Sequence, residues 1–246
     1  MKAILILLGL FLLGPGGALS QELGTTTQSI VNGTRLPDAV ALTEGEQLAI
    51  GWISDRGAPA TTFCTGTLIT SRVVLSAAHC FENMAKRYQF GLGQLPGESQ
   101  FVFGIERIEI HPQEDVSLVF LSEDAVDAVP SLVPIRHNRH TLDGREGEYL
   151  LEKRVQAGGY GDTLSEATGR FFTSVLLEDI TSTYVVVNGL GASGLCRGDS
   201  GSAIIAMNVL SKPVVLGVEH AGEDTCVGRD QLTRTDIPRV RDWIEQ

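Results

Sequence analysis

From residue 47 onward the chain alternates between short runs dominated by Val, Ile, Leu, Phe and Thr and short turns rich in Gly, Pro, Asp and Ser. The runs QLAIGWIS (47–54), TGTLIT (65–70), RVVLSAA (72–78), FVFGIERIEI (101–110), VSLVFL (116–121), RFFTSVLLEDI (170–180), YVVVN (184–188), SAIIAM (202–207) and PVVLGVE (213–219) read as strands. β-Branched and aromatic side chains fit a pleated, half-buried surface, and turn residues close each run. Many short strands at such intervals predict an all-β barrel or sandwich. Only the end has a helical period: in DIPRVRDWIEQ (236–246), Ile237, Val240, Trp243 and Ile244 recur at three- and four-residue steps. Asp236 stands at the capping position and Pro238 in the first turn. There is no internal repeat and no low-complexity tract.

The first twenty residues break this pattern. A basic Lys2, an apolar run from Ala3 to Leu13, a Gly-Pro break and small residues at Ala18 and Ser20 describe a signal peptide over residues 1–20, too short for a stable membrane span. Residues 21–29 (QELGTTTQS) are polar without periodicity and read as a propeptide, so the folded domain is expected over 30–246. With 43% hydrophobic residues, 246 residues suffice for one large core or two fused smaller ones. The formal net charge of -11 opposes binding to nucleic acid or an anionic membrane, both of which need a basic face. Export to an extracellular or periplasmic space lets the 4 cysteines, Cys64, Cys80, Cys196 and Cys226, pair as disulfides; on sequence alone three pairings are open.

The candidate chemistry begins with CRGDSGS (196–202), where Ser200 lies between an aspartate and a glycine. Such a run also makes an ordinary reverse turn. A serine hydroxyl is a weak nucleophile at neutral pH and needs a base within hydrogen-bond reach, itself oriented by a third group. Of His79, His111, His137, His140 and His220, His79 stands out, delivered by the apolar strand RVVLSAAHC beside Cys80. Asp115 opens the apolar strand VSLVFL and would be half buried at its mouth. The chain order is His, Asp, Ser. The α/β-hydrolase elbow needs Gly-x-Ser-x-Gly and a histidine last; here Ser202 takes the final glycine position and the best histidine comes first. His137 and His140 lie in a polar loop without a third ligand and read as solvated, so no metal and no cofactor are expected.

The chain resembles the chymotrypsin-like (trypsin-fold) serine endopeptidases in IVNG (30–33), CTGTLI (64–69), LSAAHC (75–80), DVSLVFL (115–121), GGYG (158–161), CRGDSGS (196–202) and DWI (242–244), in the family's order from Ile30 to the end. The resemblance implies two packed six-stranded antiparallel β-barrels with a C-terminal helix. It implies His79 as general base, Asp115 as its orienting carboxylate and Ser200 as nucleophile, with an oxyanion hole made by the backbone N–H groups of Gly198 and Ser200. Each such donor contributes about 3–4 kcal/mol in related enzymes. Cleavage before Ile30 would free an α-amino group to pair with Asp199, an ordering switch of a zymogen. Ser29 stands where the family commonly has a basic residue, which argues against a trypsin-like activator. The cysteines would pair as Cys64–Cys80 and Cys196–Cys226, each bridge contributing about 3 kcal/mol.

Specificity is less legible. The pocket-floor position implied by the family falls on Gly194, which carries no acid, with Gly222 and Asp230 as further pocket residues. Asp230 reads either as an acid that pairs with Arg or Lys of a substrate or as a surface aspartate. In GVEHAGED (217–224), His220 and Ala221 replace the family's usual Ser and Trp, which would open the outer subsites and bring His220 near Asp115. There it is either a hydrogen-bonded wall residue or part of the catalytic group. The expected protein is therefore a secreted, monomeric serine endopeptidase acting on proteins or peptides, partnered by an activating protease and protein inhibitors. The alternative is a catalytically impaired homologue acting as a binding or regulatory protein.

Overall fold

Residues 30–83, 85–98, 101–161 and 169–246 are described by the structure, a computed structural model. The signal-peptide and propeptide readings of 1–20 and 21–29 lie outside these described residues. After a short helix α1 (Glu44–Leu48), six strands follow: β1 (Ile50–Asp55), β2 (Ala58–Leu68), β3 (Val73–Ser76), β4 (Tyr88–Leu92), β5 (Phe101–Ile110) and β6 (Ser117–Leu121). A single 3-10 turn, His79–Phe81, interrupts them. Two more short helices, α2 (Ala125–Ala128) and α3 (Arg145–Leu150), lead to β7 (Arg154–Gly159), β8 (Phe171–Ile180), β9 (Tyr184–Asn188), β10 (Ala203–Met207), β11 (Pro213–Gly222) and β12 (Arg229–Arg234). Helix α4 (Pro238–Ile244) ends the chain.

The strands close two antiparallel barrels, β1-β2-β3-β6-β5-β4 and β10-β11-β12-β9-β8-β7, the architecture that the resemblance implies. Closure leaves no unpaired sheet edge. The core of the first barrel, including Trp52, Phe90 and Leu121, runs without interruption into Tyr160, Phe172, Ile205 and Val215 of the second. A separate cluster fills the second barrel around Val155, Leu177, Val187 and Leu216. The barrels thus share apolar contact and do not hang from a linker.

Three strands that the apolar runs do not announce, β4, β7 and β12, have compositions set by packing. A Cβ on Gly91 of β4 would stand 2.0 Å from the Trp52 ring, and one on Gly158 of β7 would stand 2.9 Å from the Phe172 ring. Aromatic rings occupy the space that a β-branched residue would fill. β12 instead buries Asp230, Thr233 and Arg234. Helix α1 rests on a capping box, with Glu46 N–H donating to Thr43 Oγ1 (3.2 Å) and Thr43 N–H to Glu46 Oε2 (2.8 Å).

Helix α4 has the expected Pro in its first turn, but Ile237, not Asp236, is its N-cap residue. Asp236 turns inward, where Oδ2 accepts from Leu142 N–H (2.7 Å) and from Arg234 Nη2 (2.6 Å), and Oδ1 accepts from Arg234 Nε (3.0 Å). The Arg234 side chain is 0% exposed, and a buried guanidinium requires a carboxylate far more than a helix end requires a cap. Replacing Asp236 by Ala leaves that charge without its principal partner and is expected to lower the unfolding free energy by about 3–5 kcal/mol. Denaturant unfolding of the purified variant measures this, and a loss below about 1 kcal/mol would contradict it.

Candidate active site

Strand β3 carries its chain into Ala77, Ala78 and the 3-10 turn that begins at His79. Ser76 Oγ donates to Thr65 O (2.8 Å) and Ser117 Oγ to Ala77 O (3.0 Å), which fixes the backbone just before the histidine. Asp115 precedes β6 and meets His79 twice: Oδ1 accepts the His79 backbone N–H (2.9 Å) and Oδ2 accepts the imidazole Nδ1 (2.6 Å). With Nδ1 committed as donor, the neutral imidazole keeps its lone pair on Nε2. A second imidazole reaches the same atom, His220 Nδ1 at 2.7 Å from Asp115 Oδ2. His220 lies on β11 and stacks on Tyr184, ring centroids 5.5 Å apart and 8° from parallel. The sequence reading that brings His220 near Asp115 therefore matches the geometry.

Burial opposes ionisation of Asp115, yet the hydrogen bonds from His79 and His220 overcome it and hold the carboxyl down at about 2. The hydrogen bond to Asp115 raises His79 above its ordinary 6.5 against the opposing effect of burial, and the charges of Asp115 and Glu82 add to the rise. The His79 contribution to stability is complete below 6.5 and is lost as pH rises through the folded value. The Asp115 contribution is present above 3.8 and is lost as pH falls toward about 2.

The serine arrives on a turn pinned to both barrels. Thr65 of β2 donates its N–H to Ser200 O (2.9 Å), while its hydroxyl accepts from Tyr160 N–H (3.0 Å) and donates to Gly198 O (3.3 Å). From the other side Gly201 N–H donates to Glu219 O (3.1 Å), and Glu219 N–H donates to Ser202 O (2.8 Å). The turn needs left-handed backbone at Gly198 (φ 89°) and Gly201 (φ 81°). At Gly201 a Cβ would also stand 2.1 Å from Ser76 Oγ. Ser200 itself remains half-buried, and Cys80 Sγ, next to His79 in the chain, lies 3.8 Å from Ser200 O. Cys64 is bonded to Cys80 and Cys196 to Cys226, the pairing that the resemblance implies.

Asp199 is fully buried, with Oδ1 accepting from Gly161 N–H (2.8 Å) and Oδ2 from Cys196 N–H (3.0 Å). Ile30 is equally buried, and its neighbour Val31 donates N–H to Gly194 O (3.0 Å). Gly194 O thus ties the segment at Val31 to the chain two residues before Cys196. Beside Ser200 opens a cavity of about 150 Å³ whose walls include Leu195, Arg197, Glu219, His220, Gly222 and Asp230. Asp230 is 2% exposed, so the reading of it as a surface aspartate does not hold. Glu219 is the pocket residue that sequence reasoning missed. Its signal was an acid closing the otherwise apolar run PVVLGVE.

Among the described residues two clusters are of metal-ligand type: Cys64, His79 and Cys80, whose sulfurs are bonded to each other, and the cluster of His79, Asp115 and His220. Its 2.6 and 2.7 Å separations are those of shared protons, whereas ligand atoms on a tetrahedral zinc ion stand roughly 3.4 Å apart. His137 instead pairs with Glu245 (3.3 Å), away from this cluster.

Two closed six-stranded barrels that share one apolar core define the class as trypsin-like. The chain belongs to the Trypsin family, whose description matches residues 43–244. It is 27% identical over 221 residues to trypsin of Sus scrofa, covering 75% of this chain and 84% of that protein. To Trypsin 5G1 of Aedes aegypti it is 24% identical over 225 residues, covering 79% and 78%. Tissue-type plasminogen activator of Sus scrofa matches at 27% identity over 192 residues, 63% of this chain but only 34% of that longer protein. The chain likewise spans 57% of the length of Transmembrane protease serine 11G of Mus musculus. Among solved structures, human heparin binding protein superposes with a TM-score of 0.66 at 22% identity, covering 85% of this chain and 95% of that one, a likeness of fold.

The electrostatics of His79 give a direct expectation. In an NMR titration its imidazole should titrate above 6.5 and fall below that value in Asp115→Asn, where burial acts without the carboxylate. A midpoint indifferent to Asp115→Asn would contradict the assignment.

Proposed function

We propose that this protein is a secreted serine endopeptidase, made as a zymogen and activated before Ile30. The observation that carries the reading is the double contact of Asp115 with His79, which fixes both the position and the tautomer of an imidazole beside the Ser200 turn. Family membership and the pinned, glycine-dependent turn support it.

In this reading Ser200 Oγ attacks the scissile carbonyl while His79 Nε2 takes its proton, and the resulting imidazolium is stabilised by Asp115. The N–H groups of Gly198 and Ser200 receive the oxyanion. His79 then protonates the leaving amine, and a water, deprotonated by the same imidazole, releases the acyl group from Ser200. Activation follows from the burial of Ile30 and Asp199. Cutting the Ser29–Ile30 bond turns an amide into a cationic amine, for which the Asp199 carboxylate is the implied partner. Export rests on residues 1–20; among the described residues no helix is long and apolar enough to cross a membrane.

A non-catalytic binding role is favoured by one feature only, the replacement of the usual substrate-strand residues by His220 and Ala221. A serine-directed fluorophosphonate separates the two readings. Protein processed to begin at Ile30 should take up one label per chain and lose it in Ser200→Ala, with peptidase activity falling at least about 10³-fold. Absence of labelling after verified release of Ile30 would leave the binding protein as the better reading.

A further inference from the structure

Strand β5 outruns the strand beside it. The first barrel closes through residues 101–104, which pair with 89–92 of β4, whereas residues 105–110 run on past the end of β4 and pair with β6 alone. Beside this overhang lies a groove of about 570 Å³, within the roughly 300–1,000 Å³ of ligand-sized pockets. It shares no lining residue with the cavity beside Ser200. Its apolar lining is formed by half-buried Ile105 and Ile108, by Ile110, which is 51% exposed, and by Phe81 and Tyr88, packed edge to face with ring centroids 5.0 Å apart. Single exposed apolar residues are ordinary on a surface, but a contiguous set lining a groove marks a place that something covers.

The rest of the lining is cationic. Arg56, Lys86, Arg87 and Arg107, 4 of the chain's 19 Lys and Arg residues, meet there with 1 of its 30 Asp and Glu residues, Glu106. Glu106 is already held by Arg72 (2.9 Å), and Arg107 by Glu109 (2.8 Å). Arg56 N–H donates to Arg87 O (2.8 Å), which draws these two residues together. A Cβ on Gly104 would stand 2.7 Å from Arg56 Nη2, so this guanidinium lies where β4 and β5 part. Lys86 Nζ rests 4.0 Å from the centre of the Phe63 ring. Among the described residues Arg56, Lys86 and Arg87 have no ion-pair partner. In a chain of net charge -11, such cations around one apolar surface are a local reversal of sign. The patch attracts an acidic partner that the remaining surface repels.

We propose that this groove is a docking surface for an extended acidic peptide segment of a protein partner, one that carries aliphatic or aromatic residues between its carboxylates. A peptide laid along the overhang continues the sheet where β4 stops, sets apolar side chains on Ile105, Ile108 and Ile110, and brings carboxylates to Arg56, Lys86 and Arg87. A sulfated glycan would use the cations but leave the isoleucines and the overhanging backbone unused. Phe81 ends the 3-10 turn that His79 begins, so the docked segment touches the turn that carries the imidazole. Docking does not depend on the endopeptidase reading and adds a second contact surface to it.

Fluorescence anisotropy of the Ser200→Ala protein processed to begin at Ile30 measures docking without cleavage of the probe. The probe is a short dye-labelled peptide that alternates glutamate with isoleucine and phenylalanine. One counterpart carries glutamine for every glutamate, and another carries serine for every apolar residue. The acidic apolar peptide should bind at least about tenfold tighter than either counterpart and lose about tenfold in affinity between roughly 0.05 and 0.5 M salt. Arg56→Glu and Arg87→Glu should each weaken it by about fivefold or more, and Ile110→Ser by about threefold or more. Thermal unfolding should stay unchanged, because all three side chains are exposed. Arg154→Glu on β7, also exposed, changes the net charge equally and should leave docking as it is. Equal binding of the glutamate and glutamine peptides, or an affinity indifferent to the three groove substitutions, would overturn the inference. Sulfated dextran that displaced the peptide and bound equally well to Ile110→Ser would overturn the peptide assignment in favour of a general polyanion site. Docking without fluorophosphonate labelling would keep the surface and remove the peptidase; labelling without docking would do the reverse.

Discussion

One oxygen atom, Asp115 Oδ2, receives an imidazole from each barrel: His79 from the first and His220 from the second. The contact works because the carboxylate is mostly enclosed, with 15% of its side chain exposed, yet fully hydrogen-bonded. In that setting ionisation is favoured despite burial, and the negative charge in turn fixes two rings that would otherwise rotate. The proposed activation of Ser200 presupposes the resulting tautomer of His79. One hydrogen-bonded contact between the barrels and the proposed chemistry therefore share the same charge.

The serine turn is the second place where the barrels meet, and Thr65 is its hinge pin. One residue of β2 bonds Ser200 O through its N–H, Gly198 O and Tyr160 N–H through its hydroxyl, and Ser76 Oγ through its carbonyl. The disulfides lie alongside these contacts, Cys64 next to Thr65 and Cys196 at the start of the turn. Covalent and hydrogen-bonded constraints are thus concentrated on the residues whose placement must be tightest. Below the turn, Asp199 holds the backbone of Gly161 and Cys196, and the segment at Ile30 and Val31 closes over Gly194.

The parts of the fold legible in the sequence were those with apolar runs, because β-branched and aromatic residues announce a strand when their own side chains fill the core. The runs at 116–121 and 202–207 fall on β6 and β10. Strands β4, β7 and β12 were not legible because a partner ring or a buried charge dictated their residues, as at Gly91, Gly158 and Arg234. Asp236 shows how tertiary demand overrides a local preference, since the buried guanidinium claims a residue suited to capping. At the site, His79, Asp115 and Ser200 could be named because short motifs surround them. Glu219 could not, because an acid at the end of an apolar strand reads as the first exposed residue until the bulge at His220 shows which way it turns.

The most direct test of the dependence on Asp115 is the pre-steady-state reaction of the processed protein with a p-nitrophenyl ester, followed by mass mapping of the acylated residue. A burst of one acyl group per chain on Ser200, slowed about 10⁴-fold in Asp115→Asn, is the result the account predicts. A burst of unchanged rate in Asp115→Asn, or an acyl group on any residue other than Ser200, would contradict it.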